Sequence, residues 1–125
     1  MSHRISVHVI RATDLKREDG LLGKNDPYIV LSIGHLLNKQ KFKTKTHKNQ
    51  AGTVEFNEEF EFKADASDKL KVKVYDDDLV SDDDIGETEI KLDTLFQHGQ
   101  DKQAFAIGEG SKIRGRVELH LKVIA

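Results

Sequence analysis

Apolar and polar residues alternate along most of this 125-residue chain with the two-residue period of β-strands. Near the amino terminus Ile5, Val7 and Val9 alternate with polar neighbours, and residues 117–123 repeat the pattern near the carboxyl terminus. Residues 28–33 form a continuous apolar run, which is typical of a buried strand. Further strands are predicted at residues 42–46, 54–62, 70–74, 85–92 and 103–107, and only residues 92–98 are predicted to form a short helix.

Turn-forming residues separate these strands at short intervals. Clusters of Gly, Asp and Asn occur at residues 19–20, 49–52, 65–68 and 108–110. Strands with one apolar and one polar face favour antiparallel pairing, in which one face packs inward and the other meets water. We therefore predict an all-β fold, an eight-stranded antiparallel Greek-key β-sandwich with at most one short helix. An eight-stranded barrel is the alternative.

The composition is that of a single folded domain over residues 1–125. Hydrophobic residues make up 37% of the chain and the formal charge is −2, which excludes the class of highly charged disordered proteins. The chain has no cysteine, so disulfides and thiolate metal sites are excluded. No apolar run approaches the ~20 residues that span a bilayer, and the amino terminus lacks the features of a signal peptide. We expect a cytoplasmic, monomeric protein.

The small net charge hides a strongly acidic segment. Six aspartates fall within the nine residues 76–84, between two predicted strands, where like charges repel one another. Asp76 and Asp78 share one parity at a strand end, Asp84 follows the turn, and Asp19 and Asp26 lie in the loop between the first two strands. Calcium accepts carboxylate oxygens in loose geometry, whereas magnesium demands octahedral order. These residues therefore predict a calcium site, and the alternative is a solvated acidic loop that binds nothing.

The chain resembles the C2 domain family along essentially its whole length. Four motifs carry the resemblance: Ala-Thr-Asp-Leu at residues 12–15, Asn-Asp-Pro-Tyr-Ile-Val at 25–30, Phe-Asn-Glu-Glu-Phe-Glu-Phe at 56–62, and Val-Tyr-Asp-Asp-Asp at 74–78 with Ile-Gly-Glu at 85–87. The early first strand is similar to the circularly permuted, phospholipase-C-like topology of the family. The resemblance implies a calcium- and phospholipid-binding sandwich that holds two or more Ca²⁺ ions.

The resemblance also implies a ligand set. The family's five loop aspartates fall on Asp19, Asp26, Asp76, Asp78 and Asp84. Two spacings depart from the family pattern. Asp19 and Asp26 are seven residues apart where six is usual, and only Ile85 separates Asp84 from Gly86 where two residues are usual. Asp83 is therefore an alternative to Asp84 as the last ligand.

Two further groups of residues predict membrane contact. Leu21 and Leu22 in the first acidic loop, with Leu79 and Val80 in the second, are candidates for lipid insertion, since exposed aliphatic tips are unusual on a purely soluble surface. The alternative is that they fold inward as loop anchors. A row of lysines is the candidate for anionic-lipid binding, and a solvated sheet face is its alternative. The row comprises Lys39, Lys41, Lys43 and Lys45 on one strand, with Lys71 and Lys73 beside them.

The function predicted from these residues is calcium-dependent binding to anionic phospholipid membranes. We expect a peripheral membrane-targeting module in signalling that moves from the cytoplasm to the cytoplasmic face of membranes, with phosphatidylserine or phosphoinositides as partners. The alternative is a calcium-independent phosphoinositide- or protein-binding scaffold with a degenerate calcium site. An enzyme is not expected, because the histidines are scattered and no Gly-x-Ser-x-Gly turn or phosphate-cradling glycine loop occurs. Nucleic-acid binding is not expected, because basic residues are not interleaved with aromatic ones.

Overall fold

A computed structural model describes residues 3–16, 26–34, 38–48, 52–77 and 83–125 of the chain. Within these ranges the elements follow one another in a simple order. They are β1 (His3–Thr13), β2 (Pro27–Ile33), β3 (Gln40–Lys43), β4 (Val54–Ala64), β5 (Lys69–Asp76), β6 (Asp83–Lys91), α1 (Asp93–His98), β7 (Gln100–Glu109) and β8 (Lys112–Val123). In the described part of the chain, no helix has the length and apolar character needed to cross a bilayer.

The strands form two layers of four. Hydrogen bonds join them in the order β3-β2-β5-β6-β7-β8-β1-β4, and every neighbouring pair is antiparallel. The link between β6 and β7 is the single residue pair Glu87 with Gly108, so β3-β2-β5-β6 and β7-β8-β1-β4 are separate layers joined at one point. The predicted eight-stranded antiparallel β-sandwich is confirmed. The barrel alternative is wrong, because β3 and β4 stand at the two ends of this order.

The core fills the space between the layers. Alternate residues of the central strands point inward, as the two-residue period predicts, and Val7 of β1, Leu31 of β2, Val72 of β5 and Leu121 of β8 are fully buried. Burying an aliphatic side chain of this size contributes about 1.5–3 kcal/mol. The apolar alternation of the sequence is therefore the pattern of the interface between the layers.

Strand β3 ends earlier than its alternation predicts. The lysine-rich pattern indicates a strand at residues 42–46, but the ladder covers only Gln40–Lys43. Thr44 stops it, because its hydroxyl oxygen takes the N–H of Ile29 at 2.9 Å in place of a backbone carbonyl. The next N–H, that of Lys45, donates to the carboxylate of Glu58 at 3.0 Å. A side chain therefore ends the strand where the polarity pattern continues.

A side-chain amide connects the two edge strands. Gln40 of β3 donates from Nε2 to the carbonyl of Lys63 at 2.7 Å and accepts the Lys63 N–H at 2.8 Å. Unpaired backbone groups on an edge strand are a template for unwanted pairing with another chain. Gln40 occupies one such position on β4 by forming both hydrogen bonds that a neighbouring strand would form.

Candidate functional site

One end of the sandwich brings two acidic loops together. Strand β5 ends at Asp76 directly opposite Pro27, the first residue of β2. The N–H of Asp26 donates to Oδ1 of Asp76 at 2.8 Å, and the N–H of Asp77 donates to the carbonyl of Asp26 at 2.9 Å. The proline favours an extended conformation at Asp26, which sets how the loop enters β2. Asp26 and Asp76, fifty residues apart, therefore meet in a fixed junction.

The β5–β6 register separates the two neighbouring aspartates that the sequence left as alternatives. Asp83 lies directly opposite Asp76, so their side chains share one face of the layer. Asp84 lies opposite Tyr75, and its Oδ2 is 3.9 Å from Nζ of Lys73. Asp83 thus lies across the strand pair from Asp76, while Asp84 extends toward a basic side chain.

Part of the predicted site lies outside the described residues. These are the aspartates Asp19 and Asp78 and the aliphatic tips Leu21, Leu22, Leu79 and Val80. Within the described ranges, no three side chains of His, Asp or Glu form a cluster that could hold a metal ion. The described hydrogen bonds of the junction involve one carboxylate, that of Asp76, whose Oδ1 accepts a backbone N–H.

Four of the six predicted lysines lie together on the outer face of the β3-β2-β5-β6 layer. Lys41 and Lys71 flank Ser32 on either side of β2, and Lys43 and Lys73 flank Val30 in the same way. Strands are about 4.8 Å apart, so each pair spans about 10 Å across the layer. Lys39 precedes β3 and Lys45 follows it, so neither belongs to the strand row.

Two tyrosines that the sequence analysis did not single out belong to the same face. Tyr28 and Tyr75 stack with their ring centroids 5.3 Å apart. The ammonium group of Lys43 lies 4.1 Å from the Tyr28 ring centroid, and that of Lys73 lies 5.4 Å from the Tyr75 ring centroid. A hydrogen bond to Tyr75, more than any nearby charge, raises the pKa of Lys73 above its ordinary value. The sequence pattern could have indicated Tyr75, because it continues the alternation of Lys71 and Lys73 on one face of the strand.

Carboxylates of β6 compensate part of this basic face. Nζ of Lys71 is 3.4 Å from Oε2 of Glu87, and Lys73 is close to Asp84 as described above. In the described part of the chain, Lys41 and Lys43 have no carboxylate within ion-pair distance. The positive charge of the layer is therefore concentrated toward its β3 edge. We call the surface formed by Lys41, Lys43, Lys71, Lys73, Tyr28 and Tyr75 the basic face.

Comparison with known proteins agrees with this geometry. The model of the C2 domain family matches residues 3–107, which is most of the chain. The chain belongs to the C2 domain family. The resemblance inferred from the four sequence motifs is thereby confirmed, and the residues of the acidic junction lie inside the matched region.

Relatives of this C2 domain are longer proteins. It is 34% identical to Synaptotagmin-4 of Arabidopsis thaliana over 94% of this chain and 22% of that protein. It is 33% identical to a protein of the same plant named "Calcium-dependent lipid-binding protein", over 74% of this chain and 18% of that protein. The chain thus spans about a fifth of the length of these two curated relatives.

A solved structure provides the matching architecture. A calcium-bound structure of two C2 domains of Extended-Synaptotagmin 2 superposes on this chain with a TM-score of 0.80 and 25% identity. The match covers 97% of this chain and 45% of the other. The sandwich fold is therefore shared with a C2 structure that contains calcium.

Proposed function

We propose that this C2 domain binds anionic phospholipid membranes in a calcium-dependent manner. The observation that supports the proposal is the hydrogen-bonded junction of Asp26 with Asp76, where the ends of two acidic loops meet at one end of the sandwich. The calcium named in a relative and in a solved neighbour supports the choice of ion. The function is one of binding, and we propose no catalytic step for it.

The ligands that we propose are Asp26, Asp76 and Asp83, with Asp19 and Asp78 completing the set. Asp83 is preferred to Asp84 because it lies opposite Asp76, whereas Asp84 extends toward Lys73. We propose two or more Ca²⁺ ions. Each divalent ion neutralises two carboxylates, and the two acidic loop segments together contain more than four aspartates. Calcium would supply the positive charge to which lipid phosphates bind.

Charge reversal is the proposed switch. Without the ion, this end of the sandwich is acidic and repels an anionic leaflet. With calcium bound, the repulsion is removed, and the aliphatic tips Leu21, Leu22, Leu79 and Val80 enter the bilayer. The protein would accordingly move from the cytoplasm to the cytoplasmic face of membranes when calcium rises.

Sedimentation with vesicles tests this function. Vesicles of phosphatidylcholine with phosphatidylserine should pellet the protein in calcium and release it in chelator. Vesicles of phosphatidylcholine alone, and magnesium in place of calcium, serve as controls and should not pellet it. Equal pelleting in calcium and in chelator would contradict the calcium switch.

A second candidate function is calcium-independent phosphoinositide binding. The observation that favours it is the basic face, where two lysines lie over two stacked tyrosines and Lys41 adds a further charge. Each basic residue near an anionic leaflet contributes about 1 kcal/mol. This candidate predicts phosphoinositide binding that weakens with salt and is unaffected by chelator. The same vesicle assay, with phosphoinositide in place of phosphatidylserine, separates the two functions.

A further inference from the structure

The hairpin that joins β7 to β8 has an exposed apolar residue near its tip. Ile113 is 56% exposed, more than any other large hydrophobic residue in the described ranges. It follows Lys112, the first residue of β8, which is also exposed. We call residues 109–113 the hairpin tip. Ile113 has the same parity as the inward residues Val117, Leu119 and Leu121, but an irregularity in the β7–β8 register lies between them, where Ile107 pairs with Gly115 and Gly108 pairs with Ile113.

The hairpin tip lies at the same end of the sandwich as the acidic junction. Strand β8 runs beside the end of β1, with Arg116 opposite Thr13. Beyond the ladder, the N–H of Lys16 donates to the carbonyl of Arg114 at 2.9 Å, where the chain enters the first acidic loop. On its other side, Ile113 lines an open groove together with Asp84 at the start of β6. A surface that approaches this end of the sandwich at Asp26, Asp76 and Asp84 therefore also approaches Ile113.

Close contacts and an ion pair define the conformation of the hairpin tip. Gly108 lies so close to the opposite strand that a Cβ there would be 1.9 Å from the carbonyl oxygen of Lys112. Gly110 makes the turn with a φ of +61°, in the left-handed region that favours glycine. Arg114, whose side chain is only 11% exposed, pairs with Glu109 at 3.3 Å. Ile113 is thus presented outward at little further cost in conformational entropy.

Two cations beside Ile113 lie outside the ion pairs of the described residues. Lys112 and Arg116 are exposed and have no carboxylate within ion-pair distance there. Four carboxylates also line the groove beside Ile113, and each is paired with a cation: Asp84 with Lys73, Glu87 with Lys71, Glu89 with Lys69 and Glu109 with Arg114. An apolar side chain beside uncompensated cations is complementary to a surface with anionic headgroups over a hydrocarbon interior. A protein partner with an apolar pocket would not need the cations.

We propose that the hairpin tip is a membrane-contacting element that inserts Ile113 into an anionic phospholipid bilayer. The contact rests on the proposed membrane-binding function and adds to it a third point of attachment. It requires no calcium ligand of its own, because Ile113 and Lys112 contact lipid directly.

Tryptophan fluorescence tests the proposal directly, because the chain contains no tryptophan. The Ile113→Trp variant is bound to vesicles of phosphatidylcholine and phosphatidylserine, with or without bromine on the acyl chains. Ile124→Trp is the matched control. Ile124 is 47% exposed, and its N–H bonds to Arg4 at the opposite end of the sandwich. We expect a blue shift and quenching by bromine for Ile113→Trp, and neither for Ile124→Trp.

The outcomes separate this inference from the proposed function. A vesicle-bound Ile113→Trp variant with unshifted, unquenched emission would overturn the insertion of Ile113 and leave membrane binding intact. A wild-type protein that fails to bind the vesicles at all would overturn both.

Affinity gives a second readout. Losing one inserted aliphatic side chain should weaken vesicle binding about tenfold in Ile113→Ser, with no change in Ile124→Ser. Both variants should keep the wild-type melting temperature, because both side chains are largely in solvent. Equal vesicle affinities for the two variants would contradict the proposal.

Discussion

The carboxylate of Asp76 gives the sharpest test of the calcium site, and Asp76→Asn is the perturbation. Asparagine retains a side-chain oxygen at Oδ1, so it still accepts the Asp26 N–H that closes the junction at 2.8 Å. A hydrogen bond to a charged group contributes about 1.5–3 kcal/mol and a neutral one about 0.5–1.5 kcal/mol. The variant therefore loses about 1 kcal/mol here, offset in part by weaker repulsion from Asp83. In chelator its stability should be close to that of the wild type.

Calcium should distinguish the two proteins. A ligand that binds only the folded state at one hundred times its Kd stabilises that state by about 2.7 kcal/mol. For 125 residues at about 2.1 cal/mol/K each, the unfolding entropy is about 260 cal/mol/K. Saturating calcium should therefore raise the Tm of the wild type by about 10 °C, and that of Asp76→Asn by much less.

The chain provides a closely matched control. Asp68 accepts the N–H of Asp65 at 2.8 Å in the turn between β4 and β5, at the other end of the sandwich. Asp68→Asn removes the same charge from the same kind of hydrogen bond, and it should keep the full calcium-induced rise in Tm. Calorimetric scans of the three proteins, each in calcium and in chelator, make the comparison. A rise in Asp76→Asn equal to that of the wild type would refute the reasoning.

Three further predictions concern the rest of the molecule. Glu87→Gln removes the carboxylate that pairs with Lys71. It should strengthen binding to phosphoinositide vesicles about fivefold, because about 1 kcal/mol of charge compensation is lost. Unchanged binding would exclude Lys71 from the contact. Burial, more than the neighbouring charges, lowers the pKa of His120 below its ordinary 6.5, so the folded state binds this proton less readily than the unfolded state. The free energy of unfolding should therefore fall as the pH drops through 6.5. Urea denaturation at a series of pH values should show a flatter dependence in this range for His120→Gln than for the wild type. The same pH dependence in both proteins would exclude His120 as its source. Gly108→Ala should lower the free energy of unfolding by about 1–3 kcal/mol, because its Cβ would collide with the Lys112 carbonyl; a wild-type urea midpoint would contradict the close approach.

Much of the fold was predictable because one face of every long strand is buried. The inward positions must be apolar and the outward ones need not be, so Val7, Val72 and Leu121 lie at the core positions that their alternation predicts. The exception is the short edge strand β3. Its polarity pattern continues past Lys43, but the hydroxyl of Thr44 ends the ladder. A local side-chain hydrogen bond of this kind leaves no trace in a hydrophobic pattern.

The candidate sites likewise have features that the sequence determines and features that only the tertiary structure decides. The sequence determined the acidic residues themselves, and its motifs were sufficient to assign the C2 family, because residue types at fixed spacing are local information. Only the tertiary structure decided that Asp26 joins Asp76, that Asp83 and not Asp84 lies opposite Asp76, and that Glu87 faces Lys71. It also placed Ile113 beside the acidic end, although eighty-seven residues separate it from Asp26. The physical reason is that strand pairing and register arise from the packing of the whole sandwich, so neighbours across strands cannot be read from neighbours along the chain.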